Sequence, residues 1–448
     1  MAVLYASSSR KRKGTFRVKA CQSLAAVRVT FDDDRAVANA GLVLTATTAQ
    51  HLGLLRAAQD MIRLDGPGAA NAGIKAMTVI EAMVAGADCI DDVDVLRAGS
   101  TAAVLGHRVA APSTIGTFLR SFTFGHVRQL DRFAEQALTA AWAAGAGPGD
   151  DPLVIDIDST ICEVHGYAKQ GAGFGYTRQR GLHPLLAVRA DTGEVLHIRF
   201  RKGSANTARG AERFVREVIA RVRRAGATGP ITLRADSGFW SNKIVTACRD
   251  HDVRYSITVR RQAPILAAIG SIPEGAWVDI AYTASGDAQV AEIPYNGHRL
   301  VVRRTRIKGS QPALFDEWRH HAFITDCPGT AVDVDEHHRA HAVVELAIRD
   351  LKEGAGLNHC PSGVFQANAA WALFATVAHN LMRWTVTLGT RQQAPRVAKT
   401  LRRRLFAIAG RVTTSARTRT LHLPTRWPWA DQFTSILAEL RALPTPSG

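Results

Sequence analysis

LVIDIDSTICEVHG, residues 153–166, is the stretch around which the chain is organised. Four apolar residues alternate with, then run into, two carboxylates two positions apart, Asp156 and Asp158, with Ser159 and Thr160 directly behind. In an α/β protein an apolar strand ending in acids marks the carboxyl end of a central strand, where a metal or a catalytic carboxylate belongs. The same Asp-Ser-Thr cluster also serves as a helix N-cap or a turn. What decides between the two is what these acids are paired with elsewhere in the chain.

The surroundings narrow the class of partner. A chain of 448 residues with 46% apolar content buries two or three cores, since single cores rarely grow beyond about 250–300 residues. Fifty-six basic residues against 39 acidic ones give a formal charge of +17. A surplus of that size implies a polyanionic partner, most economically nucleic acid, though a ribosomal or membrane-surface role has the same balance. The six cysteines are scattered without a CxxC pair, which fits a reducing compartment better than a disulfide framework or a zinc ribbon. No apolar run reaches the roughly 20 residues a bilayer needs, and the first residues lack the order of a signal peptide. The expectation is a cytoplasmic protein with no membrane contact.

Taken in order, residues 1–150 read as a largely helical DNA-binding region with a basic arm, Arg10, Lys11, Arg12 and Lys13. Such an arm touches phosphates without reading bases. Residues 16–31 are strand-like, and short helices follow at 51–64, 74–87, 91–99 and 114–124. PSTIGTFLRSF reads as a packing helix entered through a Ser/Thr cap, with a recognition helix as the alternative. Residues 133–145 form a linking helix, and AGAGPGDDP (144–152) reads as a hinge.

Residues 151–260 carry the first part of an α/β domain. Strands at 153–157, 183–190 and 194–200 form an antiparallel meander, with a hairpin across Asp191–Gly193. An arginine-rich helix at 207–226 precedes a fourth strand, PITLRADSGF (230–239), which again ends in a carboxylate, Asp236. A short helix and a fifth strand (253–260) follow. Residues 261–318 lose helical character and read as a β-rich insertion. Residues 319–390 resume the core with AFIT (322–325), an amphipathic helix over 336–356 and further helices. Residues 391–448 are a basic helical tail in which Arg402, Arg403 and Arg404 sit among ten basic residues over 391–426 without an acid, a pattern suited to nucleic acid.

On the 336–356 helix, His338, His341 and Glu345 step by three and four onto one face, with Lys352 a heptad further on. An acid of the Asp156/Asp158 pair, Asp236 and Glu345 converging on one point repel each other unless cations neutralise them. Magnesium suits such a site because it takes carboxylate oxygens and keeps waters for an incoming phosphate. Two such ions would serve an in-line phosphodiester reaction, with Lys352 on a phosphate near the cut. Asp158, nearer the strand end, is the preferred ligand of the first pair, and Asp156 a further one. Trp277 and Trp318 in the insertion read as core residues, with stacking on a displaced base as the alternative.

The chain resembles the DDE transposases of insertion sequences, specifically the IS1380-like group within the IS4-like set. The match is strongest in DIDST (156–160), GFGYTRQRGLHPLLAV (173–188), FRKGSANTARGAERF (200–214), LRADSGF (233–239) and VVELAIRDLKEG…PSG…NAAW (343–371). The resemblance implies a ribonuclease H-like catalytic domain: a five-stranded mixed sheet with helices and a β-rich insertion before the last catalytic helix. It implies Asp158, Asp236 and Glu345 as the triad, magnesium as cofactor with manganese as a substitute, and double-stranded DNA, transposon ends and target, as partner. It also implies a homodimer on DNA in a bacterial cytoplasm, associated with the nucleoid when active. The family signature on the last helix is Tyr, two residues, Arg, three residues, Glu, six residues, Lys. Here those positions hold His338, His341, Glu345 and Lys352, so the grip on the flanking phosphate falls to the two histidines and the neighbouring Arg339. Two rivals remain. A haloacid dehalogenase-type phosphatase would use Asp156 as nucleophile and Asp158 as acid/base, but it needs a second acidic pair where RADSGFW offers Asp236 alone. A non-catalytic DNA-binding relative is the other.

Overall fold

The computed structural model describes residues 27–175, 178–282, 286–307, 318–393 and 397–444. The basic arm at Arg10, Lys11, Arg12 and Lys13 lies outside them, as does most of the strand-like stretch 16–31. Residues 27–31 form no strand, and Val27, Val29 and Phe31 are exposed. Arg35–Gly448 is one compact unit.

After a two-residue strand, β1 (Ala36–Val37), the chain is helical: α1 (Leu42–His51), α2 (Leu54–Met61), α3 (Ala72–Ala85), α4 (Asp94–Arg97), α5 (Thr101–Leu105), α6 (Pro112–Arg120) and α7 (Phe124–Ala141). Helix α6 is PSTIGTFLR. Its entry differs from the expected side-chain cap, because Pro112 opens the first turn and no side chain caps it. A proline there costs nothing, since its missing N–H has no intrahelical partner in any case. Ile115, Phe118 and Leu119 are fully buried, so α6 packs rather than reads. The stretch expected to be a hinge is pinned: the Trp142 indole donates to Glu194 at 3.1 Å, and Arg189 donates to the Ala146 carbonyl at 2.9 Å.

The α/β part runs β2 (Leu153–Ser159), β3 (Cys162–Glu163), β4 (Gly173–Phe174), β5 (Arg180–Leu182), β6 (Leu185–Arg189), β7 (Val195–Arg199), α8 (Ala211–Arg224), β8 (Ile231–Ala235), α9 (Asn242–Arg249) and β9 (Val253–Thr258). Strands β2, β6 and β7 form the expected antiparallel meander. Strands β8 and β9 add in parallel on the other side of β2. Leu153, Ile155 and Ile157 of β2 and Leu233 and Ala235 of β8 are all buried, at the period-two spacing of one strand face. A small sheet, β3–β5–β4, had no counterpart in the sequence reading. Helix α8 buries Phe214, Val215, Val218, Ile219 and Val222 at helical spacing.

The insertion opens with a helix, α10 (Ala263–Gly270), contrary to expectation, and continues as β10 (Val278–Asp279), β11 (Gly286–Tyr295) and β12 (His298–Ile307) before β13 (Arg319–Thr325). Asn296 and Gly297 both have positive φ (47° and 75°), the two-residue turn that matches strand twist in a hairpin. Because β12 pairs along β13, the insertion continues the main sheet, which has nine strands in the order β10-β11-β12-β13-β9-β8-β2-β6-β7.

The last part holds α11 (Ala331–Arg339), α12 (Val343–Gly354), α13 (Phe365–Thr390), α14 (Ala398–Leu401), β14 (Gly410–Ser415), β15 (Thr418–His422) and α15 (Ala430–Arg441). The single helix expected over 336–356 is two helices joined by a 3-10 turn, Ala340–Ala342. The basic tail is not simply helical either, since β14 and β15 form a hairpin that pairs with β1. In α13 every residue from Ala367 to Gly389 is buried, as in a helix surrounded on all sides. It packs against helices from the first 141 residues and against β7 and α15. Among the described residues no helix is long and apolar enough to cross a membrane.

Candidate active site

Strand register brings the first two acids together. Ile157 is paired with Ala235 in the parallel ladder of β2 and β8. Asp158 and Asp236, each the next residue, therefore stand at the same end of neighbouring strands, about 4.8 Å apart in a sheet. Asp158 accepts the Ser159 N–H at 2.6 Å, and Asp236 accepts the Gly238 N–H at 3.0 Å.

Helix α12 supplies the third acid. Val344, Ala347, Ile348 and Leu351 are its buried stripe, the spacing of one helix face. That leaves Glu345 exposed in the first turn and Lys352, seven residues on, half-buried. A carboxylate in the first turn is also favoured by the helix dipole. Lys352 donates to the Ile161 carbonyl at 2.9 Å and lies 3.4 Å from the Thr160 hydroxyl. It thus ties α12 to the loop that follows Asp158. Asp158, Glu345, Arg349, Lys352 and Asn358 share a cleft of about 290 Å³. A larger cleft, about 580 Å³, starts from Ser237 and Gly238 and is lined by Asn206, Thr207, Trp240 and Arg260.

Asp156 is placed differently from Asp158, although both point to one face of the strand. It is fully buried. Arg234, its direct partner in the β2–β8 register, grips it bidentately at 2.7 and 2.8 Å. His341 Nδ1 adds a contact at 2.9 Å, and Arg234 also donates to the His337 carbonyl. One buried carboxylate therefore links both acid-bearing strands to the helical segment that leads into Glu345. With its oxygens committed in this way, Asp156 has no free edge for a metal, and none for the phosphatase nucleophile. Arg234 lies inside the LRADSGF motif, yet its role escaped the sequence reading. An arginine two residues before a strand-end acid becomes meaningful only once β2 and β8 are known to be neighbours.

Burial raises the Asp158 carboxyl to about 6; the charges of Asp236 and Glu345 add to this, while the Ser159 N–H and His341 oppose it. Glu345 has neither a hydrogen bond nor an ion pair among the described residues. Two carboxylates that raise the proton affinity of a third call for a cation, and an all-oxygen carboxylate set is the hard-donor set that magnesium or manganese takes. The donor chemistry suits a divalent ion, although the three carboxylates are not drawn within 4.8 Å of one another in this structure. Elsewhere, Asp88, Cys89 and Asp92 hold three ligand atoms within 4.8 Å of one another. There the Asp92 carboxylate already accepts the N–H groups of Asp88 and Cys89.

Several residues expected on DNA are turned inward. His338 is 4% exposed and stacks on Phe323 at 4.0 Å. Its two ring nitrogens meet Ser256 at 2.8 Å and Thr258 at 3.0 Å. Burial holds it well below the ordinary histidine range, so it is a neutral core residue and not a phosphate ligand. The break at 340–342 is what separates it from Glu345. Arg402 is likewise internal, donating to the carbonyls of Val84, Met83 and Gly354. Arg404 is half-buried beside the Trp429 ring at 5.5 Å, whereas Arg403 is exposed. Arg339 is half-buried, bound to Asp335 at 2.9 Å and over Tyr282 at 5.2 Å. In the insertion, Trp277 and Trp318 both stack on Arg304, at 4.2 and 4.5 Å.

A family model described as "Transposase DDE domain group 1" matches residues 19–445. No curated protein matches. Among solved structures, the cryo-EM structure of the piggyBac transposase synaptic complex with hairpin DNA matches at 12% identity and TM-score 0.45, over 83% of this chain and 80% of that one.

Proposed function

The chain belongs to the transposase DDE domain family, and from that premise we propose that it is the transposase of an insertion sequence. In this reading it cuts double-stranded DNA at the element's terminal inverted repeats and transfers the freed strand to a target. The observation that carries the reading is the Ile157–Ala235 register, which sets Asp158 beside Asp236 while α12 brings Glu345 close enough to raise the Asp158 carboxyl. Asp158, Asp236 and Glu345 would hold magnesium, or manganese in its place. When bound, such ions supply charge neutralisation at the phosphate and a more acidic attacking water or hydroxyl.

In the first step water attacks phosphorus and loses a proton, and the bond to the 3′-oxygen breaks, that oxygen leaving protonated. The new 3′-hydroxyl then attacks a target phosphodiester in the same way. Lys352 holds the loop after Asp158 and presents its charge to the flanking phosphate. The buried Asp156–Arg234–His341 group fixes the spacing between β2, β8 and α12. The surplus of basic residues would hold the DNA backbone, with Arg403 among its exposed members. The motif set from DIDST to NAAW supports the IS1380-like group as the subclass. Pairing of two ends calls for a homodimer on the DNA, in a bacterial cytoplasm.

Purified protein with Mg²⁺ and a duplex carrying the terminal repeat should nick at the element's end. Asp236→Asn and Glu345→Gln should each abolish nicking and leave duplex binding unchanged. Undiminished nicking by either variant would sink the site assignment.

A further inference from the structure

Outside the acids, the molecule has a second basic concavity that this chemistry does not use. It is a pocket of about 250 Å³ between α7, the end of β7, α8 and the start of α13. Its walls combine Phe124, Phe200 and Phe365 with Arg128, Arg199, Arg201 and Arg213 and a single carboxylate, Asp131. That acid is already engaged by Arg221 at 2.6 Å and Arg128 at 3.2 Å. Glu217 pairs with Arg199 and, at 3.0 Å, with Arg213. Arg201 is 9% exposed, and its Nη2 has no partner among the described residues. Burial lowers Arg199 and Arg201 to about 10, and neighbouring guanidiniums add to the effect in both. At the mouth Phe124 is 70% exposed, leaving its ring open to a ligand that enters the pocket.

The pocket's position is informative. Two antiparallel steps, β2 to β6 and β6 to β7, make β7 run with β2. Arg199 and Arg201 therefore lie at the same end of the sheet as Asp158. Arg201 also donates to the carbonyls of Asn206 and Thr207, and the Thr207 hydroxyl meets that of Ser159 at 3.3 Å. A chain of hydrogen bonds thus joins Ser159, the residue after Asp158, through Thr207 to Arg201 in the pocket wall. Aromatic faces combined with guanidiniums recognise a base and its phosphate together, and a space this small excludes a base pair.

We propose that this pocket receives one unpaired nucleotide of the DNA strand leaving the acids, its base against Phe124 and Phe365 and its phosphate on Arg201 and Arg213. The proposal rests on the transposase reading. The test uses the full chain, without Mg²⁺, and fluorescence anisotropy of a blunt duplex and of the same duplex with a short single-stranded overhang. The wild type should prefer the overhang by at least about fivefold, the scale of one lost base stack. The Phe124→Ala/Arg213→Ala variant changes two exposed side chains; it should keep the wild-type circular dichroism and blunt-duplex affinity and lose the preference. Equal affinities in the wild type, or a preference that survives in the variant, would overturn the proposal while leaving the cleavage reading intact. No binding of either duplex would overturn both. Thymidine monophosphate alone, displacing the overhang at its own dissociation constant, would point to a free-nucleotide pocket and overturn the strand assignment.

Discussion

Asp158 holds its proton up to about 6 because it is half-buried and partly desolvated, with Asp236 and Glu345 nearby. A protonated carboxyl is a poor ligand for a divalent ion, so Mg²⁺ affinity should fall about tenfold per pH unit below that value and level off above it. Isothermal titration at several pH values, in buffers of different ionisation heat, should show proton release on binding below pH 6 and none at pH 8. Since the folded carboxyl lies above its unfolded value, this group favours the fold most below about 3.9, and that contribution fades as pH rises through about 6. Asp156 has a different part, being buried and paired with Arg234. Asp156→Asn leaves the Arg234 charge buried without its counterion and should cost about 3–5 kcal/mol, measurable by urea unfolding. His341→Ala removes one contact and spares the Arg234 grip, so the melting temperature should hold. Cleavage should drop about 10- to 100-fold, the usual effect of losing a group that orients a metal ligand. Unchanged cleavage would mean the network does not position α12. The two aspartates share a strand face, so sequence alone could prefer one but not show why. Arg234, 78 residues away in the chain, supplies the reason.

At the scale of elements, periodicity made most helices and strands legible, but not where a helix changes its buried face. The run from 336 to 356 looks continuous because His338, His341 and Glu345 fit one stripe. The core instead takes His338 onto Phe323 and then Val344, Ile348 and Leu351, which a straight helix cannot do. A 3-10 turn absorbs the difference. The arginine run at 402–404 shows the same limit, because sign is visible in a sequence and direction is not. Arg402 donates to three backbone carbonyls, at the ends of α3 and α12, and these lose a charged donor in Arg402→Ala. That variant should lose about 2–3 kcal/mol and keep the wild-type salt dependence of DNA binding. Arg403→Ala should do the reverse, with stability unchanged and the slope of log affinity against log salt smaller by about one. Paired denaturation and salt-titration curves separate the two roles.

Across the whole molecule, α13 determines how the parts unfold. Its residues Ala367 to Gly389 are buried without a break, and one hydrophobic cluster among the described residues runs from Leu42 in α1 through the β2 and β8 strands to Leu443. Asn380 takes part directly: it accepts the Val195 N–H and donates to the Val195 carbonyl, both at 2.8 Å, closing the edge of β7. On the other side Thr385 reaches Thr48 of α1 at 3.0 Å, and Phe374 meets Phe118 of α6 at 5.9 Å. Composition suggests separable domains in a chain this long, because a sequence does not reveal which helix is shared. The packing instead implies one cooperative unit. Thermal unfolding followed by tryptophan fluorescence and by far-ultraviolet circular dichroism should give coincident single transitions. A fragment beginning at residue 151 would strip one side of α13 and take Phe118 and Phe122 away from Phe374. It should be insoluble or molten, with near-ultraviolet dichroism lost and helical signal retained. A soluble fragment with native near-ultraviolet bands would show that the catalytic sheet carries α13 alone and that the helical region is a true separate domain.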